Sequence, residues 1–412
     1  MHIAFIHPSY PSAEGTGATH SATQVVRGLS ESGHDVDVYC PQKPDQGKSV
    51  SNFDIHHLSG HSSHPHTNTR LNREVTARRN EFEDYDIVHS YLMSLIPSIA
   101  KLGQEFDIGT VVTLNAYGGV CAKNDLLYKN QKHCKQKSDS KCLNCIAQTG
   151  LSSGVNGYLY KKASQIFSLR LINSGEENIK YIDKFRAPSN HVKENYKNFG
   201  YDSEKISVIP HPVDMEFVIP HESDFIEPYN LLYVGSLDHH KGVQKLAPIM
   251  ASLAESSHEF RLTIVGEGGL KDQLREQVNE LDVKDLVEFT GFVPNGELPD
   301  VYAAHDCFVY PGIWEEPLAR VYLESFATGT PVVTTDYGSI AQIVGDAGRV
   351  TDGTPSGFRD VLLDIVAKDD FNAMSYAAKS RVPEFELSKT INGIEAMYED
   401  IDSRDREQPA AR

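Results

Sequence analysis

Two glutamates eight positions apart, Glu316 and Glu324, mark the stretch of this sequence whose residue types best suit chemistry. A helix starting near Pro317 would place Glu316 at its N-terminal end and Glu324 about two turns further on. Residues 329–331 form a Gly-x-Pro sequence, which predicts the end of that helix before a buried strand. A helix N-terminus suits a diphosphate, and neighbouring carboxylates suit sugar hydroxyls. The pattern indicates a nucleotide-sugar site, although two solvated glutamates on a surface helix would show the same spacing.

The same half of the chain has a lysine and glycines at the ends of predicted strands. Residues 231–234 form an apolar strand pattern that ends at Gly235, where the missing Cβ lets a ligand approach the backbone. A second strand pattern ends at Gly266 and Glu267. Lys241 stands before a predicted helix and could neutralise a leaving diphosphate, although a solvated lysine at a helix start is the alternative.

Residues 316–333 resemble the signature of the family 4 glycosyltransferases, which have the GT-B fold. That signature consists of two glutamates separated by seven residues, then a small residue and a Gly-x-Pro-Val-Val segment. The resemblance covers nearly the whole chain and is most specific between residues 229 and 350. In the family the first glutamate contacts the donor sugar and the second holds the ribose, which assigns these roles to Glu316 and Glu324.

The resemblance implies an enzyme that transfers a hexose-type sugar from a nucleoside diphosphate sugar to a hydroxyl acceptor, with retention of anomeric configuration. Glu316 and Lys241 would be its catalytic residues, and no catalytic divalent metal is expected. The expected acceptor is a lipid-linked glycan or another cell-surface glycan precursor. Two alternatives remain open, namely a nucleotide-sugar epimerase of the same fold and a nucleotide-sugar-binding partner with weakened catalysis.

The chain departs from the family pattern where the donor would bind. Ser236 replaces an arginine that works with the family's lysine, so either Arg320 or a histidine of the 239–240 pair would have to supply the missing cation. Residues 318–319 replace the family's Phe-Gly, and residue 293 falls where the family holds the nucleobase. The expected donor-binding residues are Gly235, Ser236, Lys241, Gly266, Glu267, Val293, Leu318, Ala319, Arg320 and Glu324.

The first half of the chain has the pattern of a doubly wound sheet. A strand, a glycine-containing loop, a helix, a glycine and a second strand follow one another over residues 2–39. With the resemblance, this predicts an α/β protein with two doubly wound Rossmann-like domains facing each other across a cleft, the GT-B arrangement. Ligands of such sheets lie at the carboxyl ends of strands. The expected acceptor or cleft residues are Gly15, Gly17, His20, His89 and Asn115, the last where the family usually has a histidine.

A chain of 412 residues is long for one domain and ordinary for two. We expect an N-terminal acceptor-side domain over residues 1–208, with a cysteine-rich insertion at about 118–150, and a proline-containing linker over 209–225. The nucleotide-sugar domain would cover residues 226–382. A helix over 383–401 would cross back to the first domain, and residues 402–412 would form a tail.

Four of the six cysteines lie within 25 positions, and in a cytoplasmic chain such a cluster favours metal ligands over disulfides. Their Cys-x-x-Cys half has chelate spacing, and four thiolates suit a closed structural zinc site. Reduced unrelated thiols, a single redox pair or an iron–sulfur cluster are the alternatives. The predicted zinc ligands are Cys121, Cys134, Cys142 and Cys145.

The charge of the chain is unevenly distributed. Its net charge of −18 disfavours nucleic-acid binding, yet residues 121–200 contain 14 lysines and arginines against 6 aspartates and glutamates. This basic block could bind an anionic membrane or a phosphorylated lipid acceptor, or it could be a solvated lysine-rich surface. We find neither a signal peptide nor an apolar run of about 20 residues. We therefore expect a cytoplasmic protein, peripheral on the inner face of the cell membrane if the basic block binds lipid.

Overall fold

The computed structural model describes residues 1–11, 17–42, 53–59, 66–148, 155–221 and 224–407, with only the backbone described at 155–158 and 402–407. The chain divides into two units. The first contains Met1–Pro212 and Leu387–Arg412, and the second contains Val213–Glu386.

The first unit is built on a seven-stranded parallel sheet. The strands of this unit, two of which lie outside the sheet, are β1 (His2–Ile6), β2 (Asp35–Cys40), β3 (Asp54–His57), β4 (Ile87–Ser90), β5 (Gly109–Thr113), β6 (Leu127–Tyr128), β7 (Lys132–His133), β8 (Lys184–Ala187) and β9 (Ile206–Val208). Its helices begin with α1 (Gly17–Glu31), α2 (Thr67–Ala77), α3 (Ile96–Glu105), α4 (Asp139–Gln148), α5 (Val155–Glu176) and α6 (Asn190–Asn198). The order in the sheet is β3-β2-β1-β4-β5-β8-β9, while β6 and β7 form a separate antiparallel hairpin.

The second unit has a six-stranded parallel sheet. Its strands are β10 (Tyr229–Val234), β11 (Phe260–Val265), β12 (Val287–Gly291), β13 (Cys307–Tyr310), β14 (Val332–Thr335) and β15 (Gly348–Thr351). Its helices are α7 (Leu246–Ala254), α8 (Lys271–Glu280), α9 (Leu298–Ala303), α10 (Arg320–Thr328), α11 (Ile340–Val344), α12 (Pro355–Lys368) and α13 (Phe371–Arg381). The order β12-β11-β10-β13-β14-β15 changes direction between β10 and β13, so the ligand position expected for such a sheet lies outside the carboxyl ends of these two strands.

Strands at the centre of the second sheet are covered on both faces. All four residues of β13 and all four of β14 are buried, which explains why their sequences are nearly continuous apolar or threonine runs instead of alternating patterns. The two parallel sheets, each with crossover helices between its strands, confirm the predicted doubly wound α/β architecture.

The last helix, α14 (Leu387–Glu407), belongs to the first unit. Its apolar side chains recur at helical spacing and join the buried cluster that contains Ile3 and Phe5 of β1. The members of the cluster that α14 supplies are Ile391, Ile394, Met397, Tyr398 and Ile401. Among the described helices, none combines the length and the apolar content needed to cross a bilayer.

The helix after β13 begins later than the sequence predicts. The expected start near Pro317 is wrong, because α10 starts at Arg320 and Ala319 before it is extended, with φ −76° and ψ 132°. The backbone of Glu316 is held outside the helix, since its N–H donates to Trp314 O at 2.8 Å and its carbonyl accepts from the N–H of Ser339 at 2.9 Å. Glu316 therefore lies in the loop that leads to the helix.

Candidate active site

The change of direction in the second sheet brings Lys241 and Glu316 together. Lys241 ends a short 3-10 helix, His239–Lys241, in the connection after β10, and Glu316 lies in the connection after β13. The Nζ atom of Lys241 is 2.8 Å from Oε2 of Glu316. Their side chains are 18% and 6% exposed, so this ion pair is largely shielded from water and its attraction is stronger than that of a surface pair.

Two glycines shape the backbone on either side of this pair. Gly242 has φ +74°, and a Cβ there would overlap the carbonyl oxygen of Pro311. Gly338 has φ +77°, and a Cβ there would overlap the backbone of Glu316. Because both positions need a left-handed conformation and lack room for a side chain, they hold the two active-site connections at close approach. Sequence reasoning missed Gly338, whose only signal is its place directly after β14.

Two aromatic residues that sequence reasoning also missed complete the surroundings of Glu316. The Tyr310 hydroxyl and the Trp314 indole N–H both donate to Oε2 of Glu316, at 2.9 and 2.7 Å. The ammonium of Lys241 lies 4.9 Å from the centre of the Trp314 ring and 5.6 Å from that of Tyr310. Burial and the charge of Glu316 raise the pKa of Tyr310 well above its ordinary value, so the phenol is a protonated donor. Tyr310 is the last residue of β13, and Trp314 lies in the loop that follows.

The second predicted glutamate lies in the first turns of α10. Glu324 accepts a hydrogen bond from the buried Tyr302 hydroxyl at 3.3 Å, and its Oε1 is 3.6 Å from Nε of Arg320. The helix start at Ala319 has no side-chain cap, so its first N–H groups keep the partial positive charge that attracts anions. This segment offers a carboxylate, a guanidinium and a helix N-terminus within one short stretch.

Three other predicted donor residues, Gly235, Gly266 and Glu267, directly follow the neighbouring strands β10 and β11. The N–H of Gly235 donates to Val265 O at 3.0 Å, and that of Gly266 donates to Gly291 O at 2.8 Å, so β10, β11 and β12 finish side by side. Glu267 forms an ion pair with Lys271 at 2.6 Å, and its carboxylate is thus engaged on α8.

Two further positions complete the predicted donor set. The carbonyl of Ser236 accepts from the buried Tyr233 hydroxyl at 3.0 Å. Val293, half-buried, follows β12, while Leu318 and Ala319 lead into α10. The structure therefore places all the predicted donor residues in connections that follow the strands of one sheet, or in the first turns of α10.

The missing arginine at position 236 is not replaced by His240. Burial next to the Lys241 ammonium lowers the pKa of His240 to about 4, so its ring is neutral at pH 7. Arg320 forms an ion pair with Glu324, with 3.6 Å between Nε and Oε1. The suggestion that a histidine of the 239–240 pair supplies the cation is therefore wrong for His240.

The predicted acceptor residues are only partly brought together in the first unit. Gly15 lies outside the described residues, Gly17 begins α1 and His20 follows on that helix. His89 is fully buried, with hydrogen bonds to the Tyr398 hydroxyl at 2.6 Å and to Thr113 Oγ1 at 2.7 Å. Its predicted contact with an acceptor is wrong, because the ring is enclosed between β5 and α14.

Asn115 lines a cavity of about 310 Å³ within the first unit. The residue follows the carboxyl end of β5, which is where a ligand of a parallel sheet is expected. The wall combines apolar side chains with further amides, among them Tyr91, Met93, Ile96, Leu171, Asn68 and Asn124. A ligand with both hydroxyl groups and an apolar part would match this lining.

The four cysteines do not form the predicted zinc site. Among the described residues, no group of three or more His, Cys, Asp or Glu side chains is arranged to hold a metal ion. The Cys134 thiol faces Gln136 O at 3.3 Å, and Cys145 Sγ accepts from the N–H of Lys129 at 3.2 Å. Burial and the nearby Asp125 raise the pKa of Cys121 to about 11, so that thiol stays protonated. The β6–β7 hairpin and α4, on which Cys142 lies, are thus stabilised by local contacts of this kind, and the zinc prediction is unsupported.

Comparison with known proteins agrees with this geometry. The family model described as Glycosyltransferase Family 4 matches residues 15–217, and the one described as Glycosyl transferases group 1 matches residues 220–374. An uncharacterized glycosyltransferase of Methanocaldococcus jannaschii is 36% identical over 114 residues, which is 28% of this chain and only 29% of that protein.

Two solved structures resemble this chain over almost its whole length. Sucrose-phosphate synthase from Thermosynechococcus elongatus has a TM-score of 0.76 at 16% identity, covering 98% of this chain and 100% of that one. The Anabaena protein HepE in complex with UDP has a TM-score of 0.69 at 16% identity, covering 97% and 100%. At such identities they show the shared GT-B fold. With both family models matching in succession, the chain belongs to the glycosyltransferases of the GT-B fold.

Proposed function

We propose that this chain transfers a hexose-type sugar from a nucleoside diphosphate sugar to a hydroxyl acceptor, with retention of anomeric configuration. The observation that carries the proposal is the shielded Lys241–Glu316 ion pair at the change of direction of the second sheet, directly before the uncapped start of α10. A complex of HepE with UDP, a protein of the same fold, supports a nucleotide donor.

The charges at this site match those that develop during transfer. The leaving nucleoside diphosphate gains negative charge, which Lys241 and the first N–H groups of α10 stabilise in a site already organised for it. The carboxylate of Glu316 orients the sugar and favours positive charge on its ring. Glu324 accepts from the ribose hydroxyls. The positive charge comes from the chain itself, without a catalytic divalent metal.

The acceptor is a lipid-linked glycan or a related cell-surface glycan precursor. The cavity beside Asn115 supports this, because its amides suit sugar hydroxyls and its apolar wall suits a lipid part. Helix α5 contributes Ser168 and Leu171 to that wall.

The enzyme meets this acceptor at the anionic inner face of the cell membrane. We define the α4–α5 surface by its exposed apolar residues, Leu143, Leu159 and Ile166, which are 48%, 59% and 38% exposed. On α5, exposed Arg170 lies one turn after Ile166 and therefore on the same face of the helix, and the helix also carries exposed Lys161. Apolar side chains flanked by cations are the combination that binds an anionic lipid surface.

The donor is identified by incubating the protein with UDP-, GDP- and ADP-hexoses and measuring which one raises its melting temperature. Products are then analysed with a panel of glycosyl acceptors, and nuclear magnetic resonance assigns the anomeric configuration. A new glycoside with the configuration of the donor is the expected result. Inversion would overturn the retaining mechanism, conversion of the donor to another sugar nucleotide would indicate an epimerase, and a lack of donor binding would overturn the proposal as a whole.

A further inference from the structure

Three hydrogen-bond donors converge on one oxygen atom of Glu316. Oε2 accepts from Nζ of Lys241 at 2.8 Å, from the Tyr310 hydroxyl at 2.9 Å and from Nε1 of Trp314 at 2.7 Å. Within the described residues, the other carboxylate oxygen, Oε1, accepts no hydrogen bond from the protein. The carboxylate is therefore anchored through one oxygen and offers the second.

The three donors differ in how freely they can move. Lys241 ends a flexible four-carbon stem, whereas an aromatic side chain has only two torsions. Tyr310 is fully packed, with ring centres 5.2 Å from Tyr322 and 6.1 Å from Tyr233. Trp314 is 8% exposed and lies edge-on to His240 at 5.0 Å. Lys241 is thus the donor that can leave Glu316 without disturbing the core.

We propose that Tyr310 and Trp314 are positioning residues, which hold Glu316 in place while Lys241 turns from the carboxylate to the diphosphate of the donor. The inference rests on the proposed function, because it requires a diphosphate ligand. A diphosphate carries more negative charge than a carboxylate and therefore competes for the ammonium. Without the phenol and the indole N–H, Glu316 would lose its anchor at the moment Lys241 leaves. With them, Oε1 stays directed to the sugar.

The Tyr310 hydroxyl and the Trp314 indole N–H can be removed while an aromatic ring is kept at each position. Tyr310→Phe and Trp314→Phe keep aromatic packing but delete the donors to Oε2. We expect the affinity for the nucleoside diphosphate alone to stay within about twofold of wild type. The affinity for the nucleoside diphosphate hexose and kcat should each fall about 10- to 100-fold, since a hydrogen bond to a charged group is lost. Titration calorimetry measures the two affinities, with UDP, GDP and ADP and their hexose conjugates as probes. Steady-state kinetics measures kcat.

Tyr322→Phe is the matched control. Its hydroxyl forms a buried hydrogen bond to Thr334 at 3.0 Å, next to Tyr310 but not to Glu316. If packing or stability were the only cause, this variant would change the ratio of hexose-conjugate to diphosphate affinity as much as Tyr310→Phe does. The inference predicts that Tyr322→Phe leaves the ratio unchanged, and an equal change in both variants would overturn it.

The movement of Lys241 can be followed by the fluorescence emission of Trp314, because Trp314 is the only tryptophan of the chain. A nucleoside diphosphate should draw the ammonium away from the indole, so the emission of the wild type should approach that of ligand-free Lys241→Met. Lys245→Met, four residues along the chain, is the control and should respond as the wild type does.

The outcomes separate this inference from the proposed function. If none of the probes raises the melting temperature of the wild type, both fail. If a probe binds but the emission of Trp314 does not change, Lys241 does not move and the inference alone is overturned. If a probe binds and Tyr310→Phe keeps the wild-type ratio of affinities and the wild-type kcat, the positioning role is overturned while the proposed transfer stands.

Discussion

His89 and Tyr398 lie 309 positions apart in the sequence and share a hydrogen bond of 2.6 Å inside the first unit. The bond ties α14, the last described helix, to β4 at the centre of the sheet. Because both residues are fully buried, the ring of His89 belongs to the core of the first unit. This contact explains why His89 cannot contact an acceptor although it lies near the carboxyl end of β4.

The buried His89 should make the stability of the protein depend on pH. Burial, with a smaller effect of the nearby Arg186, lowers the pKa of His89 to about 3 from its ordinary 6.5. Between these values the unfolded chain binds a proton that the folded chain does not, so stability falls as the pH falls below about 6.5. We expect a loss of about 1.4 kcal/mol per pH unit from this residue.

Chemical denaturation between pH 7 and pH 5 measures this loss. His89→Gln keeps hydrogen-bonding groups and cannot titrate, so its free energy of unfolding should be lower at pH 7 but should depend less on pH. A slope equal to that of the wild type would show that other groups cause the dependence, among which His7 is buried with a pKa of about 4.

Replacing Glu316 should reduce turnover strongly while leaving the second unit folded. Glu316→Ala removes the carboxylate that we propose orients the donor sugar, and we expect kcat to fall by about 10²- to 10³-fold. Glu316→Gln keeps an oxygen that Tyr310 and Trp314 can still bind, which protects the fold and isolates the loss of charge. Glu276→Ala, exposed on α8, is the control with normal turnover. Normal kcat in both Glu316 variants would contradict the catalytic role.

Gly338→Ala should damage the active site through the backbone alone. Its φ of +77° and the contact of a Cβ with the backbone of Glu316 make the substitution strained, with an expected loss of about 2 kcal/mol or more in the free energy of unfolding. Turnover should fall as well, because Glu316 is displaced. Thermal denaturation and kcat are measured beside Gly296→Ala, where a Cβ meets nothing within 4 Å. Wild-type values for Gly338→Ala would mean that this connection is not rigid.

The α4–α5 surface should bind anionic vesicles. Ile166→Ser/Arg170→Ser removes one apolar anchor and one charge from the same face of α5, so the lipid concentration for half-maximal binding should rise at least about tenfold. Co-sedimentation compares vesicles that contain phosphatidylglycerol with vesicles of pure phosphatidylcholine. The matched control is Leu281→Ser/Lys284→Ser, an exposed apolar and basic pair in the second unit. Equal binding by both double variants, or binding to both lipids alike, would contradict the membrane proposal.

Sequence patterns alone determined the doubly wound units and the two residues of the Lys241–Glu316 ion pair. Apolar runs in β10 and β13, a lysine after one and a glutamate after the other, are local features, and the geometry of parallel sheets then places them at one edge. The resemblance in residues 316–333 added the family. Such patterns can be recognised in a sequence because they depend on which residues of a single strand or helix are buried.

Only the tertiary structure decided which polar groups meet. Tyr310 and Trp314 have apolar bodies that fit a core, and nothing in their sequence positions shows that both donate to Glu316. His89 lies near the carboxyl end of a strand, as ligand-binding residues do, but is enclosed by a helix more than 300 positions away. The cysteines have chelate spacing along the chain, yet the fold directs Cys134 and Cys145 to separate backbone partners. Hydrogen bonds depend on distances of a few tenths of an ångström between segments, which spacing along a chain does not encode.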